Sequence, residues 1–384
     1  MKARVLAYYL PQFHPIPEND KFWGPGFTEW TNVAKAKPLF HGHYQPRIPA
    51  DLGFYDLRLP EVREQQAQMA REAGIEGFCY WHYWFGNGKM LLQRPFEEVL
   101  SSGRPDFPFC LCWANHSWTT KTWDKSSRKS TDTMIAEQLY LGEEDWTAHF
   151  NYCLPAFKDP RYVTVDGMPL FGIYEPYWFK NAQQFMDTWR KLAKENGLKG
   201  IYFYAITKSA YINRIMPDGS LQHVVPNLNS SEEEYKSVLA QGYDALNTSG
   251  QVRAEMAYSN KYANLLRIAI RKYLPFWPAM RLKYSKIIKN FFAPEDKWEN
   301  VFPSVFPQWD RSPRTGKGEG IWHKSTPELF EKHLRDAVAL IEDKSPEHRI
   351  LFLRSWNEWA EGNYIEPDLK WGRGYLETLR KVIM

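Results

Sequence analysis

The chain has 384 residues, and its 49 Lys and Arg against 45 Asp and Glu give a net charge of +4. With 17 Trp, 22 Tyr and 23 Phe, the composition excludes a disordered or low-complexity chain. No apolar run reaches the roughly 18–20 residues of a membrane-spanning helix, and the first residues lack the apolar stretch of a secretory signal. The 4 Cys lack metal-ligand or redox-motif spacing, so we expect reduced thiols in a cytoplasmic protein.

Short apolar segments alternate with helical patterns along the chain. Apolar runs predict eight strands, at Arg4–Leu10, Ile75–Tyr83, Phe107–Trp113, Pro169–Tyr174, Gly200–Ala205, Tyr243–Leu246, Val301–Phe306 and Ile350–Arg354. Periodicity and end signals predict helices over 60–73, 95–101, 143–157, 182–196, 326–342 and 374–383, with Ser325 as a cap. This alternation predicts one domain over residues 1–384, a (β/α)₈ barrel of the TIM type with elaborated βα-loops. A doubly wound sheet is the alternative.

One segment departs from the mild charge of the whole. Arg253–Lys289 carries nine basic residues and one acid, so it holds +8 while the rest of the chain sums to −4. Basic residues mixed with Leu, Ile, Phe and Trp predict a basic helical insertion over about 253–295. It could be a solvated helical hairpin, a peripheral contact with an anionic membrane surface or a site for an anionic glycan. We expect no nucleic-acid partner, because no binding motif accompanies this charge.

Polar side chains and rings cluster just after the predicted strands, where a barrel of this type places its active site. Trp and Tyr offer a flat apolar face with a polar group, which suits sugars. No Gly-rich phosphate-binding motif follows any strand, which argues against a nucleotide site. The predicted substrate-binding residues are His14, Glu29, Trp30, Trp81, His82, Tyr83, Asn115, His116, Glu175, Trp309, Trp356, Asn357 and Trp359.

Two glutamates follow the last predicted strand. Glu358 and Glu361 are three positions apart, so a helical turn would place their Cβ atoms roughly 5–6 Å apart. Paired carboxylates at about this separation perform glycoside hydrolysis, and each raises or lowers the other's pKa. His41 and His43 have the spacing of a metal pair but lack an evident third ligand, so we expect neither a metal nor a cofactor.

The segment RSWNEWAEGNYIEP at 354–367 resembles the N-E-W-x-E-G-x-x-I-E-P signature of the endo-α-mannosidase-like glycoside hydrolases of family 99. The segments AYYLPQFH, FWGPGFTEWTNVAK, GIEGFCYWHYWF and FCLCWANHSW are similar to the bacterial WbsX-type relatives of that family. This resemblance covers nearly the whole chain and also implies a (β/α)₈ barrel.

The resemblance implies specific roles. Glu358 matches the base that deprotonates the sugar's own 2-hydroxyl, Glu361 matches the acid/base at the leaving oxygen, and Asn357 and Trp359 match residues lining the subsite. It implies a retaining glycoside hydrolase or transglycosylase on an α-linked, mannose-like oligosaccharide or polysaccharide, in bacterial surface-polysaccharide metabolism. A glycosyltransferase of O-antigen or lipopolysaccharide biosynthesis at the inner membrane face, or a catalytically silent glycan-binding barrel, are the alternatives.

Overall fold

Eight parallel strands close into a barrel. The computed structural model describes residues 1–120, 133–208, 228–258, 279–317 and 319–384, together with Leu266 and the backbone of 212–215 and 221–224. The barrel strands are β1 Arg4–Tyr9, β2 Gly77–His82, β3 Phe109–Trp113, β4 Met168–Ile173, β5 Tyr202–Thr207, β6 Ala245–Thr248, β7 Val301–Val305 and β8 Ile350–Leu353. Each pairs in parallel with the next in chain order, and β8 pairs with β1 through Arg4 and Ile350. The predicted barrel is therefore confirmed.

Helices follow the strands and cover the outside of the barrel. In chain order they are α1 Pro17–Trp23, α2 Glu29–Lys35, α3 Pro60–Glu72, α4 Arg94–Ser102, α5 Glu143–Phe157, α6 Ala182–Glu195, α7 Glu232–Leu239, α8 Gln251–Ala257, α9 Tyr284–Ile287, α10 Ser312–Thr315, α11 Pro327–Ile341 and α12 Gly374–Ile383. Short 3₁₀ turns occupy Pro176–Trp178, Ile288–Asn290, Pro294–Lys297, Pro346–His348 and Trp359–Glu361. No helix in the described parts of the chain is long and apolar enough to cross a membrane.

Small strands decorate the loops. Thr164–Val165 folds back antiparallel onto β4 through the turn at Asp166 and Gly167. Trp118–Thr119 pairs with Met134–Ala136, Ile212–Ile215 pairs with Leu221–Val224, and Arg281–Lys283 pairs in parallel with Ile321–His323.

The predicted helices lie within one or two residues of their observed ends, because their end signals are strong. One cap differs: Thr326, and not Ser325, accepts the hydrogen bond from the Leu329 N–H at the start of α11. The short helices α1, α2 and α7 were absent from the prediction. Each is at most eight residues long, which is too short for a clear helical period.

Part of the predicted basic insertion lies outside the described residues, so its boundaries and role stay predictions. Its described end packs against the barrel. Tyr284, Ile287 and Phe291 are buried in a second hydrophobic cluster that also contains Phe306 and Trp322. This end is therefore part of the folded core.

Side chains from several strands fill the barrel interior. The Tyr8 hydroxyl donates to Asn247 Oδ1 at 2.8 Å, and Asn247 Nδ2 donates to Ser304 Oγ at 3.0 Å. Next to them, the Cys79 thiol lies 3.2 Å from the Tyr204 hydroxyl. All five residues are buried, so this layer is a packed floor.

Gly172 makes room for this floor. A Cβ added there would lie 2.4 Å from Tyr204 Cζ and 2.7 Å from Cys112 Sγ. We expect Gly172→Ala to lower the free energy of unfolding by about 1–3 kcal/mol through overpacking, measured by urea denaturation. Gly374→Ala is the matched control, since its Cβ would meet only the Pro327 side chain at 3.1 Å. Equal losses in the two variants would contradict this account.

Candidate active site

A cavity of about 130 Å³ opens at the carboxyl ends of the barrel strands. Residues that follow β1, β2, β3, β4, β7 and β8 surround it, as expected for the active-site end of such a barrel. Its lining consists of Leu10, Trp81, Tyr83, Ala114, His116, Trp118, Tyr174, Arg311, Arg314, Arg354, Glu358 and Glu361.

Glu358 and Glu361 both line the cavity and are separated by one 3₁₀ turn. Glu358 immediately precedes the turn at Trp359–Glu361, and the Glu361 N–H donates to the Glu358 carbonyl at 3.2 Å. The Glu358 N–H donates to Ser355 Oγ at 2.9 Å. Because side chains three positions apart eclipse in a 3₁₀ turn, both carboxylates face the same space. The turn is 3₁₀ and not α-helical, but it brings the two acids together as their spacing predicts.

Two arginines hold Glu361 in place. Arg314 Nη1 donates to Glu361 Oε1 at 2.6 Å, and Arg311 Nε lies 3.0 Å from the same oxygen. Arg314 Nη2 also donates to Glu29 Oε1 at 2.6 Å, and that oxygen accepts the Ala360 N–H at 3.1 Å. Glu29 is fully buried and is not part of the cavity lining, so it lies behind the wall that Arg314 forms.

The electrostatics of the two cavity acids differ. Burial raises the pKa of the Glu358 carboxyl to about 7, and the neighbouring charge of Glu361 adds to the rise. Arg314 and Arg354 oppose this rise without cancelling it. Glu361 instead contacts two guanidinium groups, which favour an ionised carboxylate. Near neutral pH the Glu358 carboxyl is therefore partly protonated in the unliganded cavity.

We predict that two glutamate carboxyl groups, Glu358 and Glu366, titrate with apparent pKa values of about 7, and that Glu358→Gln removes one of the two signals and leaves that of Glu366. Glu29→Gln should move the titration to lower pH, because the charge of Glu29 raises the pKa of Glu358. The measurement is ¹³C NMR of glutamate-labelled protein between pH 4 and pH 9. A titration unchanged in Glu358→Gln would contradict the assignment.

The predicted substrate-binding residues divide into three groups. Trp81, Tyr83 and His116 line the cavity beside the two glutamates. Burial and the charge of Lys208 lower the pKa of His116 to about 4, so its imidazole is neutral. Glu175 lies near the rim, where it accepts a hydrogen bond from Lys208 Nζ. The remaining members do not line the cavity.

Two predicted asparagines fasten loops together. Asn357 Oδ1 accepts the Leu10 N–H at 2.7 Å, and its Nδ2 donates to the Leu10 carbonyl at 3.0 Å. Asn115 makes the same pair of bonds with the backbone N–H and carbonyl of Glu175, at 2.8 Å and 3.0 Å. Each amide therefore satisfies one buried residue's backbone donor and acceptor, and it joins two loops at the mouth of the barrel.

We expect Asn357→Ala to lower the free energy of unfolding by about 2–4 kcal/mol, because it leaves two buried backbone groups of Leu10 unpaired. Chemical denaturation measures the loss. Asn181→Ala is the control, since Asn181 is exposed and its side chain makes no capping bond. If Asn357→Ala loses no more stability than the control, Asn357 does not stabilise the contact between the two loops.

Several predicted rings belong to the core. Trp359 is fully buried, stacks on Tyr364 with ring centroids 3.7 Å apart, and donates through Nε1 to Glu366 Oε2 at 2.6 Å. Trp356 packs on Phe78, and both Trp30 and Trp309 pack among other rings.

The other two histidines on the list are also buried away from the cavity. His82 Nε2 lies 2.8 Å from His149 Nε2, and burial lowers the pKa of His82 to about 3. Burial lowers the pKa of His14 to about 4, and the charges that act on it come from Asp56, Arg58 and Arg94.

His43 forms a buried pair with an aspartate. Its Nε2 lies 2.8 Å from Asp310 Oδ2, which also accepts Gln45 Nε2 at 2.7 Å. Although burial acts to raise the pKa of Asp310, the hydrogen bond from His43 and the charge of Arg47 lower it. Asp310 also donates its backbone N–H to the Glu361 carbonyl at 2.8 Å. This pair therefore supports the loop that carries the acids.

The prediction missed the three cavity arginines and Tyr174. Arg311 and Arg314 follow β7, and Arg354 follows β8. The three arginines lie at or after the ends of predicted strands, which is the signal that the sequence offers. The sequence prediction takes acids, amides and rings from these positions and omits cations. The structure shows that cations form one side of the site.

Comparison with known proteins identifies related chains. The family model "Glycosyltransferase WbsX" matches residues 5–379. Two curated proteins named "Uncharacterized protein WxcX", from two strains of Xanthomonas campestris pv. campestris, are each 32% identical over 391 residues. Those alignments cover 100% of this chain and 50% of each relative, so the chain spans about half the length of the curated relatives it matches.

Solved structures share the fold. A "Glycoside hydrolase-like protein" superposes with a TM-score of 0.59 at 14% identity, covering 99% of this chain and 94% of that one. The GH99 endo-alpha-mannosidase from Bacteroides thetaiotaomicron, in complex with BIS-TRIS-propane, has a TM-score of 0.54 at 15% identity, covering 100% and 96% of the two chains. At these identities the likeness concerns the barrel fold.

Proposed function

The chain belongs to the WbsX family, and we propose that it is a retaining glycoside hydrolase or transglycosylase acting on an α-linked, mannose-like glycan of a bacterial surface polysaccharide. The observation that carries this proposal is the pairing of Glu358 and Glu361 in one cavity at the carboxyl end of the barrel. Glycoside cleavage needs two carboxyl groups in different protonation states. The different environments of the two acids support this proposal, because burial raises the pKa of Glu358 while two arginines contact Glu361.

The cavity walls support a sugar-shaped ligand. Trp81, Trp118 and Tyr174 provide rings beside the acids, and Tyr83 lies close enough for the charge of Glu358 to raise the pKa of its hydroxyl, which burial raises first. Rings with polar edges bind the apolar faces and hydroxyls of sugars. Nothing in this chemistry calls for a metal or a cofactor.

The two glutamates take the roles that their family positions imply. Glu361 protonates the leaving oxygen, and Glu358 removes the proton of the 2-hydroxyl, which attacks the anomeric carbon from the opposite face and forms a 1,2-anhydro sugar. Water then opens this intermediate with net retention. These roles require Glu358 to be ionised and Glu361 to be protonated when substrate is bound, which is the reverse of what burial at Glu358 and the arginines at Glu361 favour in the unliganded cavity. A bound sugar hydroxyl that displaces Arg314 or Arg311 from Glu361 would favour this exchange.

We expect Glu358→Gln and Glu361→Gln each to lower turnover by about 10²–10⁴-fold, the usual effect of removing a general acid or base. The assay is a panel of α-linked manno-oligosaccharides with the first-formed anomer read by ¹H NMR. Glu377→Gln, on the exposed face of α12, is the matched control and should retain activity. Near-normal turnover in either cavity variant, or an inverted product, would overturn the proposal.

Leaving-group dependence separates the two roles. A dinitrophenyl glycoside needs little protonation on departure, so Glu361→Gln should recover most of its activity on that substrate while Glu358→Gln should not. The opposite result would exchange the two assignments and would agree with the raised pKa of Glu358 in the unliganded cavity. The measurement is kcat/KM for both variants on aryl glycosides of increasing leaving-group acidity.

The description of the family as a glycosyltransferase supports a second candidate, in which the same cavity transfers a sugar from an activated donor. This candidate predicts binding of a nucleotide sugar or a lipid-linked sugar by calorimetry, and transfer to an acceptor with little hydrolysis. A barrel that binds glycans without catalysis would instead show saturable oligosaccharide binding and no product with any donor.

A further inference from the structure

The three cavity arginines are not equivalent. Arg314 bonds to Glu361 and Glu29, and Arg311 bonds to Glu319 at 3.0 Å and contacts Glu361. The charges of these two arginines are therefore compensated by carboxylates.

Arg354 lines the same cavity in a different environment. Its guanidinium carbon lies 5.1 Å from the ring centroid of Tyr8, 5.4 Å from that of Trp81 and 6.0 Å from that of Tyr174. Its Nη1 is buried and has no hydrogen-bond partner among the residues that the structure describes. Aromatic faces stabilise a cation without neutralising it or accepting its in-plane N–H groups as a carboxylate would. Arg354 thus presents a positive charge with unused donors.

The polar neighbours of Arg354 leave its Nη1 without a hydrogen bond. Lys208 lies close enough for the charge of Arg354 to act on it, but its Nζ bonds to Glu175, and the neutral His116 imidazole lies next to Tyr174. The charges of Glu358 and Glu361 act on Arg354, yet its Nη1 has no hydrogen-bond partner among the described residues. The cavity therefore holds an unpartnered donor group of Arg354 beside the two glutamates.

A neutral sugar would leave the buried Nη1 of Arg354 without an anionic acceptor. A buried donor that lacks a partner carries a desolvation cost, which a ligand anion can offset. Arg354 lies in the same cavity as the glutamates, so its partner would belong to the sugar that is bound beside them. Its planar N–H groups match the two oxygens of a carboxylate.

We propose that the substrate is an acidic glycan and that Arg354 binds the anionic group of the sugar beside Glu358 and Glu361, with the carboxylate of a uronic acid as the expected form. This inference rests on the proposed function for the choice of a sugar as ligand. It narrows the substrate class from mannose-like glycans to their anionic counterparts.

The test compares pairs of methyl α-glycosides that differ only at C6. The probes are mannoside and mannuronoside, glucoside and glucuronoside, and galactoside and galacturonoside, with affinities measured by ligand-observed NMR at fixed ionic strength. We expect the acid of at least one pair to bind the wild-type protein about 10-fold or more tightly than its neutral partner, as a charge-assisted bond would produce. Mannose 6-sulfate and mannose 6-phosphate show whether the anion is a carboxylate or an ester.

Variants then assign the preference to Arg354. Arg354→Gln should bring the two affinities of the pair together, and a circular dichroism spectrum and an unfolding midpoint close to those of the wild type show that the variant is folded. Arg354→Lys should retain part of the preference, because lysine keeps the positive charge but lacks the planar pair of N–H groups that matches a carboxylate. Arg380→Gln, an exposed arginine on α12, is the matched control and should keep the full preference.

The outcomes separate this inference from the proposed function. No preference for an acid in any pair would overturn the inference, and so would a preference that survives Arg354→Gln. Cleavage of neutral glycans with no gain for acidic ones would also overturn it while leaving the hydrolase proposal standing. Binding of acidic sugars through Arg354 without any cleavage would overturn only the proposed hydrolysis.

Discussion

The arrangement of the cavity depends on one buried cation. Arg314 joins an acid from the loop after β1 to an acid from the loop after β8, and it comes itself from the loop after β7. A buried guanidinium is costly unless its partners are placed well, so three loops from different parts of the chain are confined to one mutual arrangement. The same contact places a cation against Glu361, whose charge adds to the rise that burial causes in the pKa of Glu358. The position and the electrostatics of the two acids therefore both involve Arg314.

Neutral contacts extend this arrangement around the rim. The amides of Asn357 and Asn115 each bind the N–H and the carbonyl of a residue in another loop, which imitates a strand pairing where no strand is present. Glu366 performs a related task under the acids, since it accepts hydrogen bonds from Tyr55, Gln66 and Trp359. Irregular backbone can be buried at the mouth of the barrel because such side chains satisfy it.

The barrel fold could be predicted from the sequence because the signals for its strands and helices are local. An apolar run such as Phe109–Trp113 is fully buried in a parallel sheet, and helices such as Glu143–Phe157 have well-defined ends. The position of Glu358 and Glu361 after the last strand also predicts that both residues reach the cavity. The sequence could not separate the rings of the cavity from those of the core, since Trp81 and Trp359 both lie at or shortly after the end of a predicted strand. Only packing distinguishes a ring that lines a cavity from one that is stacked on Tyr364. The arginine contacts could not be predicted from the sequence, because the residues that they join are separated by 47 and by 285 positions along the chain.

The short turn at Trp359–Glu361 has a consequence for how such a site can change. Because both acids belong to one turn of backbone, the spacing of their backbone positions is set by local geometry, and only the loop after β7 contributes the arginines that hold the Glu361 carboxylate in the described parts of the chain. Other walls of the cavity come from β2 and the loops after β2, β3 and β4. Substitutions and insertions in those three loops can alter which sugar fits while the reacting pair keeps its spacing. The turn after β8 thus carries the reacting acids, while other loops determine which sugar fits. Substrate specificity can therefore change in evolution without a change in the reaction.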